Sequence, residues 1–253
     1  MLGRRRLITG LAGVPLATIL ADSRLAALAA EATEPISITT KGGQKVRGAL
    51  AVPAKQPAPA VLLIHEWWGL NDQIKSMAVE FAKEGYVALA ADLYNGAVAT
   101  APDEAQALMQ SVDPAQATDT LVSWVDWLRS NPAVNGKVAT VGWCFGGGWS
   151  INTALATPVD ATVIYYGKLP QSAAQVQSLS GPVLGHFGEQ DQFINHAMVG
   201  GFEKAMKEAG KKLTVYWYNA NHAFANPTGA NYHKEDAQTA WTRTLDFLKT
   251  TIG

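Results

Sequence analysis

The sequence predicts an α/β fold: a mostly parallel central sheet with helices on both faces and an antiparallel hairpin at its N-terminal end. Three observations carry this expectation. Short apolar runs of strand length alternate with segments of helical period along the chain. The runs are continuously apolar, as strands must be when both faces of a sheet are covered. The first two β-branched runs, by contrast, are joined by Lys41-Gly42-Gly43-Gln44, a turn of the kind that links antiparallel neighbours.

The elements follow in order. Ile36 to Thr40 and Val46 to Val52 form the expected hairpin. Ala60 to Ile64 is a buried strand, and Ile74, Met77, Ala78, Phe81 and Ala82 then recur at helical spacing before a second apolar run from Tyr86 to Ala91, which completes a βαβ unit. Leu121, Trp124, Val125 and Leu128 mark another helix, which Asn131-Pro132 stops, because the residue before a proline is pushed out of the helical region. Val138 to Val141 is the next buried strand, followed by a small-residue helix over Gly147 to Ala156. Strands at Ala161 to Tyr166 and Pro182 to Phe187, a helix at His196 to Ala209 and a strand at Leu213 to Tyr218 lead to a last amphipathic helix through Trp241, Leu245 and Leu248. In such a sheet ligands bind beyond the carboxyl ends of the strands, so residues just after each strand are where chemistry is expected.

Composition narrows the function classes. Of 253 residues 48% are hydrophobic and the formal net charge is -1, enough apolar material for a substantial core. Beyond the first positions Lys and Arg are scattered, so no basic face favours nucleic acid as a partner. No linker, repeat or low-complexity tract divides the chain, so residues 31–253 read as a single domain, and a monomer is the default expectation. Residues 1–30 read as an export signal. Arg4-Arg5-Arg6 precedes an apolar, Gly/Ala-rich stretch from Gly10 to Leu20, and small residues follow at Ala27-Leu28-Ala29-Ala30, a pattern resembling the twin-arginine address and implying a bacterial periplasm. The stretch is shorter than the ~20 residues a spanning helix needs and contains Pro15, so no stable membrane insertion is expected once the signal is removed.

An exported protein ordinarily pairs its cysteines, yet this one has a single cysteine, so Cys144 is either a buried bystander or a thiol retained for reactivity. Its surroundings favour reactivity. Gly142-Trp143-Cys144-Phe145-Gly146-Gly147-Gly148 directly follows a strand and opens a helix, the G-x-nucleophile-x-G arrangement with Cys in place of Ser. Its flanking glycines let strand and helix backbones meet at a sharp turn, and the helix N-terminus favours a thiolate or an oxyanion. Among five histidines, His222 lies in a polar loop after the strand ending at Tyr218, where the base belongs; His65 and His186 read as structural. Asp191, with Glu189 as the alternative, follows the strand ending at Phe187 and supplies the acid in the order nucleophile, acid, histidine. The dispersed histidines form no metal set, and no cofactor is implied. His65-Glu66-Trp67-Trp68-Gly69 follows the strand ending at Ile64, where the backbone N–H of Trp67 joins that of Phe145 as an oxyanion hole. Trp68, Tyr94 and Tyr165 (or its neighbour Tyr166) are candidate pocket residues.

Together with Ala91-Asp92-Leu93-Tyr94, Gly185-His186-Phe187-Gly188-Glu189-Gln190-Asp191 and Asn221-His222-Ala223-Phe224, these segments resemble the dienelactone hydrolase family of α/β-hydrolases, from about Ile36 to Leu248. The resemblance implies a Cys144, Asp191, His222 triad cleaving a lactone or ester through an acyl-enzyme. It also implies that Glu66 matches the family's glutamate, which contacts the resting thiol and helps to activate it. Family members acting on dienelactone hold its carboxylate with two arginines, one shortly after the Asp-Leu-Tyr motif and one four residues after the histidine. Here Tyr94-Asn95-Gly96-Ala97 contains none and the later position is Asn226, so a neutral or differently anchored ester is at least as well suited. The competing readings are a carboxylesterase or thioesterase on an unrelated acyl group, and a non-catalytic binding protein on the same fold.

Overall fold

The computed structural model describes residues 23–253, so most of the expected export signal lies outside the described residues. The last residues of that segment form helix α1 (Ser23–Ala30), whose Ala26, Ala29 and Ala30 are buried. It packs against α2 (Asp72–Lys83), where Ser76 Oγ donates to the Ala26 carbonyl at 3.3 Å.

One eight-stranded sheet organises the chain, in the order β1-β2-β4-β3-β5-β6-β7-β8. β1 (Glu34–Thr39) and β2 (Lys45–Ala51) form the expected antiparallel hairpin, and β2 continues antiparallel against β4 (Val87–Ala91). From β4 through β3 (Ala58–Ile64), β5 (Val134–Trp143), β6 (Ala161–Tyr165), β7 (Val183–Gly188) and β8 (Leu213–Tyr218) the pairing is parallel throughout.

The apolar runs exist because each strand feeds two cores. In β3, Val61 and Leu63 pack with α2 and α8 (Lys234–Thr251) on one face, while Ala60, Leu62 and Ile64 pack on the other with α4 (Pro114–Ser130), α5 (Phe145–Ala156) and α7 (His196–Glu208). Burial of a side chain such as Leu62 or Leu63 stabilises the fold by roughly 1.5–3 kcal/mol. Local signals set the helix ends. The Asn71 side chain accepts from Ile74 N at 3.1 Å to cap α2, and the Asp113 side chain caps α4, with Pro114 at its first turn.

Three elements depart from the sequence reading. β5 begins at Val134, four residues before the expected Val138, because Val134 pairs with Ala58; the exposed Asn135, Gly136 and Lys137 hide this extension from a hydrophobicity pattern. Helix α3 (Pro102–Ser111) buries only Ala105, so it has no apolar stripe to read. Helix α6 (Ala173–Val176) is a single turn closed by a Ser172/Gln175 capping box.

Candidate active site

The parallel strands end on one side of the sheet, and the candidate residues lie just beyond those ends. Ile64 and Gly142 are paired across β3 and β5, while Trp143 pairs with Tyr165 across β5 and β6. The loops after β3, β5 and β6 therefore leave the sheet side by side.

Cys144 occupies the bend between β5 and α5 with φ 53° and ψ −116°, a backbone conformation that L-residues rarely adopt. The sequence permits the bend because its flanks are glycine. A Cβ at Gly142 would stand 1.9 Å from the Gly146 carbonyl oxygen, and one at Gly146 would stand 2.1 Å from that of Ile64. Cys144 N–H donates to the Tyr165 carbonyl at 2.9 Å, which ties the bend to the neighbouring strand end.

His222 faces the thiol. Its Nε2 is 3.2 Å from Cys144 Sγ, and its Nδ1 is 2.7 Å from Asp191 Oδ2. Asp191 is itself fixed, since its other oxygen accepts the amides of Phe193 at 2.8 Å and Ile194 at 3.0 Å. The sequence thus brings together residues 144, 191 and 222 from the ends of three strands. Burial opposes charge on both members of the acid–imidazole pair, yet in each case the hydrogen bonds outweigh it. They hold Asp191 below its ordinary value, whereas the bonds to Asp191 and Cys144 push His222 up to about 10.

Glu66 lies beside this line, 3% exposed. Its Oε2 accepts from Asn226 Nδ2, and Tyr166 O–H donates to Oε1 at 3.4 Å. Burial raises its carboxyl to about 7, opposed by the charge of His222 and by those two donors. The thiol here is turned to the imidazole, while Glu66 is engaged by Asn226 and Tyr166 and sensed electrostatically by His222. Asn226 therefore stands where the family's second arginine is expected, and it binds the glutamate through a neutral amide.

His65 is structural, as its position suggests. Leu93 N–H donates to its Nε2 at 3.2 Å, so Nδ1 carries the hydrogen and donates to the Glu66 carbonyl at 2.6 Å. Full burial lowers its pKa and keeps the ring neutral. That ring stacks on Phe145 at 5.9 Å and meets Tyr94 edge-on at 4.7 Å. Trp67 and Trp68 are half-buried and pack edge-to-face at 5.0 Å. Among the described residues neither Trp67 N–H nor Phe145 N–H has a hydrogen-bond partner, and the latter is a first-turn helix amide with no acceptor inside the helix.

Of the two adjacent tyrosines, Tyr166 rather than Tyr165 faces the site. Tyr165 O–H donates to the Ala240 carbonyl in α8 at 3.2 Å and meets Thr244 Oγ1 at 2.6 Å, because successive side chains on a strand point to opposite faces. Thr244 Oγ1 also meets His186 Nε2 at 3.0 Å, so His186 belongs to a buried structural network. Tyr166, with φ 40°, places its ring 5.2 Å from that of His222. Phe193 escaped the sequence reading: it is 74% exposed, and its ring is edge-on to His222 at 5.7 Å. Only its place two residues beyond the acid could have drawn notice. Among the described residues no group of three or more His, Cys, Asp or Glu side chains is arranged to hold a metal ion, and no helix is long and apolar enough to cross a membrane.

Known proteins resemble this chain over most of its length. The dienelactone hydrolase family model matches residues 46–252. The carboxymethylenebutenolidase of Pseudomonas putida is 33% identical over 231 residues, covering 85% of this chain and 96% of its own. Protein usf of Aquifex pyrophilus is 36% identical over 221 residues, covering 83% and 95%. The crystal structure of a dienelactone hydrolase-like promiscuous phosphotriesterase from metagenomic libraries shares the fold, with a TM-score of 0.79 at 24% identity over 87% of this chain and 99% of the other. The chain belongs to the dienelactone hydrolase family and is a hydrolase of the ester and lactone class.

Proposed function

We propose that the protein cleaves neutral carboxylic esters or lactones through a Cys144, His222, Asp191 triad and an acyl-thioester intermediate. The observation that carries this reading is the continuous line from the buried Asp191 through His222 to Cys144 Sγ, at 2.7 and 3.2 Å, ending on a strained bend. An imidazole held well above its ordinary value, at about 10, can carry positive charge beside the sulfur and steady the charge that develops there.

The thiolate attacks the carbonyl carbon and a C–S bond forms. The carbonyl oxygen takes the electron pair, and the unpartnered N–H groups of Trp67 and Phe145 are the donors positioned by sequence to receive it. Collapse of this intermediate breaks the C–O bond, and the departing alkoxide takes the proton from His222. Water then attacks the thioester while His222 accepts its proton; the C–S bond breaks, and acid and thiolate are released. Asp191 holds the ring orientation and stabilises its charge in both halves.

The neutral character of the substrate rests on the surroundings of Glu66. Asn226 and Tyr166 are its hydrogen-bond partners, so no guanidinium there can pair with a substrate carboxylate. The half-buried Trp67 and Trp68 and the exposed Phe193 favour an apolar acyl or aryl group. Replacing Cys144 by Ala should abolish hydrolysis of p-nitrophenyl acetate and leave thermal unfolding unchanged; turnover equal to the parent protein rejects the assignment. A panel of neutral aryl esters, lactones and carboxylate-bearing lactones tests the substrate class, and preference for the charged lactone rejects that part.

On the sequence pattern alone we further propose that residues 1–30 direct export by a twin-arginine route and that residues 31–253 are the catalytic domain. Replacing Arg4 and Arg5 with Lys should retain the protein in the cytoplasm of a bacterial host, and unchanged periplasmic recovery argues against that route.

A further inference from the structure

A concavity distinct from the thiol site opens between α2 and α8. It has a volume of about 500 Å³, within the range of small-molecule sites. Neither Cys144 nor His222 lines it. Its walls are aromatic, with Trp143, Tyr165, Tyr232 and Trp241 all contributing. Tyr165 and Trp143 are 2% and 4% exposed, and their rings stack at 5.4 Å, so this wall is rigid.

Two features give the cavity a chemical preference. The first is charge. The ionisable side chains that line it, apart from the two tyrosines, are the carboxylates of Glu80 and Glu84, and no Lys, Arg or His reaches it. Glu80 is neutralised by Lys83 at 2.6 Å. Glu84 has no ion pair among the described residues and sits at the C-terminal end of α2, where the helix carbonyls add partial negative charge. The second feature is Gln73. It lines the same cavity and is 7% exposed, yet its side-chain amide makes no hydrogen bond within the described protein. The amide faces the cavity with its hydrogen-bonding capacity free, and the N–H of an occupant can donate to its carbonyl oxygen.

An anion is disfavoured by the carboxylates, and a purely apolar molecule would leave Gln73 and Glu84 unanswered. We propose that this cavity is a binding site for a small primary aryl- or alkylammonium ion, which packs its apolar part among Trp143, Tyr232 and Trp241 and presents its N–H groups to Gln73 and Glu84. The combination of aromatic rings with a carboxylate is the ordinary means of recognising organic cations. The site stands independently of the assignment of the triad.

Calorimetric titration of the full chain with 2-phenylethylammonium, 2-phenylethanol and 3-phenylpropionate separates charge from hydrophobicity. The ammonium should bind saturably at one site, roughly tenfold more tightly than the alcohol, with the carboxylate weakest. Glu84→Gln should weaken ammonium binding roughly threefold to fivefold, as for a partly exposed charge pair, and Gln73→Leu should weaken it as well. Protein alkylated at Cys144 with iodoacetamide should bind the ammonium unchanged. Absence of saturable binding, equal binding of the alcohol, or loss of binding after alkylation overturns the proposal, the last by moving the occupant to the thiol site. Should either variant fail to fold, the ranking of the three ligands on the parent protein still decides the matter.

Discussion

Replacing Glu66 with Gln should flatten the pH dependence of stability in one defined window. Glu66 is 3% exposed, and burial displaces its carboxyl from an ordinary 4.5 to about 7. The folded chain therefore keeps a proton that the unfolded chain releases across that interval, so stability falls as pH rises through it. At 1.36 kcal/mol per pH unit the full displacement corresponds to roughly 3 kcal/mol. Gln removes the ionisation and keeps the shape: its carbonyl can accept from Asn226 Nδ2, and its amide can turn toward the Tyr166 hydroxyl oxygen. The neighbouring groups act in other windows. His222, raised to about 10, contributes stability that is lost only as pH rises from 6.5 through that value, and the lowered Asp191 contributes stability that is lost as pH falls below its ordinary 3.8. Guanidinium unfolding between about pH 5 and about pH 8 should show the parent protein losing roughly 3 kcal/mol more than Glu66→Gln, by the same linkage. Parallel curves for the two proteins would mean that Glu66 is ionised throughout and that burial is not controlling it.

Other consequences are simpler to measure. Asp191→Asn keeps the size of the side chain but removes the charge that stabilises the imidazolium, and kcat for p-nitrophenyl acetate should fall by about 10³–10⁴; a loss below tenfold contradicts the role given to Asp191. Gly146→Ala forces a Cβ to within 2.1 Å of the Ile64 carbonyl oxygen. It should lower thermal stability sharply or prevent folding, and a melting temperature equal to the parent's would mean that the turn is looser than described. Tyr165→Phe removes the bonds to Ala240 and Thr244, so it should cost about 1 kcal/mol in denaturant unfolding with hydrolysis retained. A selective loss of kcat would restore Tyr165 to the substrate pocket.

Much of this architecture can be read from the sequence because its causes are local. Continuous apolar runs mark β3, β4 and β6, since each strand there must fill two cores, and glycines 142 and 146 mark the bend because nothing larger fits. The positions of residues 144, 191 and 222 follow from the same logic, each lying just after a strand. What escaped has non-local causes. Helix α3 buries one side chain, so no periodicity exposes it. The start of β5 is Val134 followed by the exposed Asn135, Gly136 and Lys137, and it is fixed by the pairing of Val134 with Ala58 in β3, some 75 residues away. The division of labour between Tyr165 and Tyr166 depends on strand orientation, which two adjacent identical residues cannot reveal. Asn226 can be read as a missing arginine, but its bond to Glu66 across 160 residues appears only when the loops are assembled.

The backbone itself indicates what the fold is holding in place. Among the described residues four non-glycine residues have left-handed φ values, and three of them, Cys144, Tyr166 and Ala223, lie at the thiol, behind the imidazole and next to it in the chain. Each costs on the order of 1–3 kcal/mol and persists only where the surroundings over-determine it. They do so here: Cys144 N–H is tied to the Tyr165 carbonyl, Tyr166 N–H to the His186 carbonyl, and the His222 carbonyl to Asn231. The two hydrophobic cores hold the strand ends rigid, and the strand ends force three unfavourable backbone conformations onto neighbouring loops. Relaxing any one of them would turn a side chain away from the contacts of 2.7 and 3.2 Å that join acid, imidazole and sulfur. The precision of the site is therefore a property of the sheet, and a substitution deep in β5 or β6 should reach the chemistry through these bends.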